Sequence, residues 1–235
     1  MKSDELPVVQ ERITRQILAN LRPVSPLRRT GVLVATLLLI GAAIVATGAW
    51  RQGTAGIRAE SGLQSIVVLS LLAIALLAGA MLTAGWMVPV ARYSPSPAAV
   101  LTAIVLSLLI SIVLLFRHAS APNFLDRGII CWRIGMTYSS SAALLSVLIL
   151  RRAAWLSPVA LGTATGMSAG LTAMTVQEIY CPILSIEHIA AFHLGTVLSS
   201  ALIGTILGLT VPHGLQQMKR IMKTKASGIQ NPPRR

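Results

Sequence analysis

The run GVLVATLLLIGAAIVATGAW, Gly31–Trp50, is twenty residues long and contains no charged side chain. A helix of about 20 apolar residues is long enough to cross the hydrocarbon core of a bilayer. Other runs of the same character follow it along the chain, and together they predict an all-α, polytopic membrane protein with six transmembrane helices. These runs are Ser65–Pro89, Ala98–Phe116, about Gly128–Leu150, about Ser157–Val176 and about Ile189–Val211.

The overall composition points to the same class. Of the 235 residues, 54% are hydrophobic and only 11% are charged, whereas a soluble domain carries about 25% charged residues. The net charge of +13 would suggest nucleic acid as a partner in a soluble protein. Here the basic residues gather near the two ends of a hydrophobic chain, as topology signals and contacts to anionic lipid do. We therefore expect the lipid bilayer as a partner and no direct contact with nucleic acid.

The distribution of Lys and Arg predicts which side of the membrane each terminus faces. Six spans put both termini on one side, and that side holds fifteen Lys and Arg residues against five in the opposite loops. Lys and Arg in short loops favour the cytoplasmic side. We therefore expect a bacterial inner-membrane protein with cytoplasmic N- and C-termini. The chain then divides into a cytoplasmic segment 1–29, a membrane domain 30–211 and a basic tail 212–235.

The N-terminal segment predicts a short helix with one apolar face. Apolar residues recur at helical spacing until Pro23, which ends the helix. About thirty residues cannot build a core of their own. The apolar stripe must therefore contact the membrane surface, another part of the chain or a groove on a partner. The stripe consists of Leu6, Val9, Ile13, Ile17, Leu18 and Leu21.

The chain has two cysteines, and the expected topology puts both on the periplasmic side. Cys131 lies near the start of the fourth span, and Cys181 lies in QEIYCPILSIEH, Gln177–His188, between the fifth and sixth spans. Three interpretations are open: a permanent structural disulfide, reversible thiol chemistry or metal capture, and two unrelated thiols. The periplasm permits a disulfide.

Histidines on the same face would add imidazole ligands to the thiols. Thiolates and imidazoles bind soft and borderline metal ions. The candidate metal ligands are Cys131, Cys181, His188 and His118. We expect His193 to be a hydrogen-bond partner between helices rather than a ligand, and Glu178 and Glu187 to be solvated loop charges. A heavy-metal ion would bind transiently, and no resident cofactor is expected.

Small residues at every fourth position predict close packing of the fifth and sixth spans. Glycines with this spacing let two helix backbones approach each other within a membrane. The residues concerned are Gly162, Gly166 and Gly170 in the fifth span and Gly204 and Gly208 in the sixth.

Several short motifs occur in a characteristic order. LRPVSPL, Leu21–Leu27, precedes the first span, a cysteine starts the fourth, and SPVALGTATGMSAG, Ser157–Gly170, opens the fifth. The pair Cys181–Pro182 follows the fifth span, and the sixth carries a histidine. Over nearly its whole length the chain thereby resembles the NrsF family of bacterial membrane anti-sigma factors, negative regulators of an extracytoplasmic-function sigma factor.

The resemblance implies a regulator without catalytic residues. The N-terminal stripe would hold a sigma factor at the membrane, and Cys131 and Cys181 would sense metal or oxidative stress and release it. Two alternatives are a small-molecule or metal transporter and a membrane thiol oxidoreductase. The spans lack the mid-membrane charges that ion-coupled transport uses. The two isolated cysteines also lack the CxxC pair of typical thiol oxidoreductases.

Overall fold

The computed structural model describes residues 30–86, 96–116, 124–150 and 157–210. These ranges contain seven helices and no β-strand, so the expected all-α class is confirmed for the described part of the chain. The helices are α1 Thr30–Gln52, α2 Ala55–Ala59, α3 Gly62–Gly85, α4 Pro97–Leu115, α5 Phe124–Leu150, α6 Pro158–Tyr180 and α7 Ile186–Thr210. Within α7, the stretch Ile189–Leu194 is π-helical.

Five of the helices, α1, α3, α4, α6 and α7, are long and apolar enough to cross a membrane, judged by length and composition. Helix α5 has 27 residues but is not one of these five, and its first three turns carry Asp126, Arg127 and Arg133. Large apolar side chains such as Leu39 and Leu114 lie exposed on the outer surface of the bundle, as lipid-facing side chains do. The helices therefore have the character of a membrane protein, and the predicted fourth span, about Gly128–Leu150, stays a prediction.

Helix α6 is the centre of the bundle. It contacts α1, α2, α3, α4, α5 and α7, and 72% of its most apolar stretch is buried, against 39% or less in the other four candidate spans. It is also the least apolar of the five, with a mean hydropathy of 1.2. A helix surrounded by protein needs small side chains that let its neighbours approach, rather than large ones that face lipid. The Gly, Ala, Ser and Thr residues of α6 meet this need.

The contact between α6 and α7 confirms the predicted glycine packing. A Cβ atom added to Gly162 would overlap the carbonyl oxygen of Gly204, and a Cβ on Gly204 would overlap that of Gly162. Gly166 meets the backbone of α7 in the same way. The hydroxyl groups of Thr163 and Thr205 lie 2.8 Å apart across the same interface. Backbone contact and hydroxyl pairing together hold the two helices at close range.

The described chain enters and leaves the bundle at the same end. The start of α1 packs beside the start of α6, where Leu33 and Leu161 belong to one buried cluster. The end of α7 also lies there, because Gly208 packs against the backbone of Pro158. Thr30 and Thr210, the first and last described residues, therefore share this end, and the end of α6 lies at the other.

At that other end, α2 packs across the last turn of α6. Helix α1 approaches first, where Gly48 lies against the side chain of Val176. Gly56 of α2 then packs so closely that an added Cβ would overlap the carbonyl oxygen of Glu178. This short helix was not predicted from the sequence, because five residues carry too little periodicity to be recognised.

The observed helix boundaries differ from the predicted ones mainly at polar ends. The predicted loop Gln177–His188 is shorter, because α6 continues to Tyr180 and α7 begins at Ile186. The hydroxyl oxygen of Ser185 accepts a hydrogen bond from the backbone N–H of His188 and caps the start of α7. An apolar run shows which part of a helix lies in lipid or in a core. Helix boundaries predicted from hydropathy therefore leave out polar turns at the ends of the helix.

The glycine contact can be tested with two substitutions on α7. We expect Gly204→Ala to destabilise the protein by about 1–3 kcal/mol, because the new methyl group meets backbone that cannot move aside. Gly195→Ala is the matched control, since an added Cβ has no neighbouring atom within 4 Å. Unfolding of the full chain in detergent, followed by circular dichroism, measures both. Equal effects of the two substitutions would contradict the close contact.

Candidate thiol and imidazole site

Two thiols and two imidazoles meet beside the end of α6. Cys131 comes from α5, Cys181 directly follows α6, and His188 and His193 come from α7. All four residues are buried, and their ligand atoms lie within 4.8 Å of one another. Helix packing thus brings together residues that are far apart in the sequence.

The cluster consists of two thiol–imidazole pairs. The Sγ atom of Cys131 lies 3.2 Å from Nε2 of His193. The Sγ atom of Cys181 lies 3.4 Å from Nε2 of His188. Both cysteines are free thiols in the structure. Each sulfur therefore faces a nitrogen that can exchange a proton with it or share a metal ion with it.

Side chains from the last turns of α6 hold Cys131 in place. The hydroxyl group of Tyr180 donates a hydrogen bond to Sγ of Cys131 at 3.3 Å. The amide Nε2 of Gln177 donates to the carbonyl oxygen of Cys131 at 3.0 Å. Gln177 is fully buried and lies against Gly135, where an added Cβ would stand 2.6 Å from its nitrogen. A larger residue at that position in α5 would displace this amide.

Glu178 is part of the site, so the expectation of a solvated loop charge is wrong for this residue. It lies in the last turn of α6, where it is buried, and its Oε1 accepts a hydrogen bond from Nδ1 of His193 at 2.8 Å. The sequence pattern suggested a loop because the apolar run ends at Val176, but the helix continues beyond it. Glu187, by contrast, is exposed as expected.

His193 has the helix–helix role that the sequence predicts. Its ring bridges Glu178 on α6 and Cys131 on α5. A carboxylate bound at Nδ1 fixes the proton on that nitrogen and leaves the Nε2 lone pair free to accept a proton or a metal ion. His193 therefore also joins the group of candidate ligand atoms.

The π-helical stretch Ile189–Leu194 brings His188 and His193 to the same face of α7. Two residues five positions apart in an α-helix point about 140° away from each other. A π-helix closes its hydrogen bonds between residues five apart, and here the two ring centroids lie 5.4 Å apart. Such π-helical turns are frequent at functional sites. Sequence periodicity does not predict this pair, because a spacing of five residues puts two side chains on different faces of an α-helix.

Burial and hydrogen bonding raise the pKa of two acidic groups at the edge of the cluster, the Cys181 thiol and the Glu60 carboxyl. The hydrogen bond with Cys131 and burial raise the pKa of the Cys181 thiol above its ordinary value. Burial also raises the pKa of Glu60, which follows α2, although a hydrogen bond from Ser65 opposes this shift. A protonated thiol is a weak nucleophile. The raised pKa therefore makes the Cys181 thiol a weaker nucleophile at neutral pH.

The structure brings together three of the four metal ligands predicted from the sequence, Cys131, Cys181 and His188, and adds His193. His118 lies outside the described residues. The apolar stripe of the N-terminal segment also lies outside them. Its members are Leu6, Val9, Ile13, Ile17, Leu18 and Leu21.

The fold and the cluster define a helical protein of membrane character with a buried thiol and imidazole site. A family model described as "Negative regulator of sigma F" matches residues 18–211. The chain therefore belongs to the NrsF family, which confirms the resemblance in its sequence. This family implies a sigma factor as partner and a regulatory function. No curated protein and no solved structure matches the chain significantly.

Burial of the thiols predicts slow alkylation. Cys131 and Cys181 are each 4% exposed, so we expect N-ethylmaleimide to modify them at least about tenfold more slowly than an exposed thiol. Ala59→Cys introduces an exposed thiol at the end of α2, which serves as an internal control. Mass spectrometry of the reduced protein in detergent, before and after denaturation, measures all three rates. Rapid modification of Cys131 in the folded protein would contradict the buried cluster.

Proposed function

We propose that this NrsF family member is a membrane-bound anti-sigma factor. It sequesters an extracytoplasmic-function sigma factor through residues 1–29 and releases it when metal or oxidative stress reaches Cys131 and Cys181. The family match supports the regulatory function. The observation that carries the sensor part is that the two thiols, one from α5 and one from the segment directly after α6, meet in one buried cluster.

The proposed topology places the protein in the bacterial inner membrane with both termini in the cytoplasm. It adds α5, the fourth long helix along the chain, to the five candidate spans, which gives six. The excess of Lys and Arg at the termini supports this orientation. The cluster then lies at the periplasmic end, where oxidants and metal ions arrive first. The basic tail, residues 212–235, would contact anionic lipid of the inner leaflet.

The contact with the sigma factor is assigned to the N-terminal apolar stripe. The family match begins at residue 18, so Leu18 and Leu21 lie inside it and the other four stripe residues precede it. An amphipathic helix binds a groove through apolar side chains at this spacing. Sequestration by this segment would keep the sigma factor away from RNA polymerase.

The signal would pass along the helices rather than through direct contact. The cluster and the point where the described chain begins lie at opposite ends of α6, which has 23 residues and is therefore about 35 Å long. Cys131, Cys181 and the two histidines connect α5, α6 and α7. A reaction that pulls these residues together or pushes them apart would shift three helix ends at once. Such helix shifts are a common way to transmit a signal.

The sigma-binding segment can be tested by purification from the native membrane. We expect a sigma factor to co-purify with the full chain and to be absent when residues 2–27 are deleted. Mass spectrometry identifies the partner. Absence of a sigma factor from both preparations would contradict sequestration by this segment.

Two single substitutions sharpen this experiment. Ile13→Asp puts a charge on the apolar stripe and should reduce the bound sigma factor at least about tenfold, because a charge buried at an interface loses its hydration. Ala19→Asp adds the same charge to the face of the predicted helix opposite the stripe and should retain binding. Equal binding by both variants would exclude the stripe as the contact.

The sensor part can be tested on the complex. Treatment with Cd²⁺ or with the thiol oxidant diamide should release the sigma factor from the parent protein. Cys131→Ser and Cys181→Ser should each abolish this dependence on treatment, because a hydroxyl group neither binds a soft metal nor forms a disulfide. Ser111→Ala is the control, since that hydroxyl bonds within α4 to the carbonyl oxygen of Ser107. Release from the cysteine variants at the parent level would refute thiol sensing.

A further inference from the structure

The cluster is more specific than a pair of thiols. We propose that Cys131, Cys181, His188 and His193 together bind one divalent transition-metal ion of the Zn²⁺ class, and that Glu178 is the positioning residue for His193. This inference deepens the proposed function and rests on it for the biological role of the site. Metal binding itself can be measured without a sigma factor.

The spacing of the ligand atoms supports a tetrahedral ion. Metal–sulfur bonds of about 2.3 Å and metal–nitrogen bonds of about 2.0 Å separate neighbouring sulfur and nitrogen ligands by roughly 3.5 Å in a tetrahedral site. The two thiol–imidazole pairs are separated by 3.2 Å and 3.4 Å. All four ligand atoms lie within 4.8 Å of one another. The side chains thus stand close to the separations that such an ion requires.

The donor set selects the kind of ion. Two sulfur and two nitrogen ligands suit Zn²⁺ and Co²⁺, whereas Mg²⁺ and Ca²⁺ prefer oxygen. A divalent ion bound by two thiolates and two neutral imidazoles has no net charge. Since all four residues are buried, a neutral coordination shell avoids the large cost of an uncompensated ion charge in an apolar interior. The buried Glu178 carboxylate is outside this shell and is stabilised by its hydrogen bond from His193.

Glu178 accepts the hydrogen bond that a metal-binding histidine typically donates from its other ring nitrogen. Its carboxylate accepts a hydrogen bond from Nδ1 of His193 at 2.8 Å, while Nε2 of the same ring points to Sγ of Cys131. Carboxylates in this position fix the tautomer and the orientation of a histidine ligand. The arrangement also explains why a carboxylate is buried in the last turn of α6.

The surroundings of His188 direct its Nε2 atom into the cluster. The ring is fully buried, and Nδ1 has no hydrogen-bond partner in the described part of the chain. The polar contact of the ring is therefore made through Nε2, which faces Sγ of Cys181. A metal ion bound at Nε2 would place the proton of the neutral His188 ring on Nδ1.

Four protein ligands fill a tetrahedral coordination shell. A site of this kind has no open position for water or substrate, which is typical of structural and sensing sites rather than of catalytic ones. The ligands come from α5, α7 and the segment directly after α6. An ion bound there would fasten three elements of the bundle at one end.

Cobalt titration of the full chain tests the proposal. The purified protein in detergent is reduced, stripped of metal with a chelator and titrated with Co²⁺. We expect one ion per chain, intense visible absorption typical of tetrahedral Co²⁺, and a thiolate-to-metal charge-transfer band. Added Zn²⁺ should remove both signals. The weak spectrum of octahedral Co²⁺, or no saturable binding, would overturn the proposal.

Variants test the ligand set and its positioning residue. Cys131→Ser should lose most of the charge-transfer intensity, and His193→Ala should lose tetrahedral binding. His193→Cys replaces nitrogen with sulfur and should retain a tetrahedral spectrum with a stronger charge-transfer band. Glu178→Gln should bind Co²⁺ about 10–100-fold more weakly with an unchanged spectrum. Ser111→Ala should match the parent. Parent-like spectra and affinities in His188→Ala and His193→Ala would exclude histidine ligation.

The metal experiment and the sigma-factor experiments can fail independently. If Co²⁺ does not bind but diamide still releases the sigma factor through Cys131 and Cys181, the metal site is excluded and thiol sensing stands. If Co²⁺ binds tetrahedrally but no sigma factor co-purifies, the metal site stands and the regulatory assignment fails.

Discussion

The close approach of other helices to α6 is the constraint on which the rest of the structure depends. Gly162 and Gly204 touch backbone to backbone, so α6 and α7 lie too close for a methyl group to fit between them at this point. In the other half of α6, Gly56 of α2 meets backbone, and Gly135 of α5 meets the side chain of Gln177. Because lipid is as apolar as the helix surfaces, the hydrophobic effect does not drive such contacts. Van der Waals packing and hydrogen bonds between helices stabilise them instead. The thiol and imidazole cluster exists because these contacts set where its four side chains stand.

The sequence was sufficient to recognise the parts of the fold that face an apolar environment. The uncharged runs in α1, α3 and α4 located those helices to within a few residues, and the glycine spacing anticipated the contact between α6 and α7. The polar ends were harder. Phe124–Arg127 and Gln177–Tyr180 are helical although their side chains include charges and amides. Gln177 and Glu178 pair with α5 and α7 inside the bundle, whereas Asp126 and Arg127 lie exposed at a helix end. Hydropathy measures a residue's preference for lipid and says little about a polar side chain that pairs inside protein.

The site was partly visible in the sequence for a related reason. Cys131, Cys181 and His188 stood out as rare residues near predicted helix ends, and the expected topology put them on one side. His193 and Glu178 were assigned lesser roles because neither spacing nor hydropathy reveals a buried hydrogen bond between helices. Only the packing shows that His193 faces Cys131 while Glu178 holds its other nitrogen.

The π-helical stretch in α7 has a genetic consequence. A π-helical turn holds one residue more than an α-helical turn, so Ile189–Leu194 acts as a one-residue insertion in an otherwise regular helix. Loss of a single codon there would let the helix become regular, and the later glycines of α7 could keep their register on α6. The two imidazoles would then point in different directions. The length of this segment, more than the identity of its side chains, decides whether a relative with the same fold can assemble the same four residues.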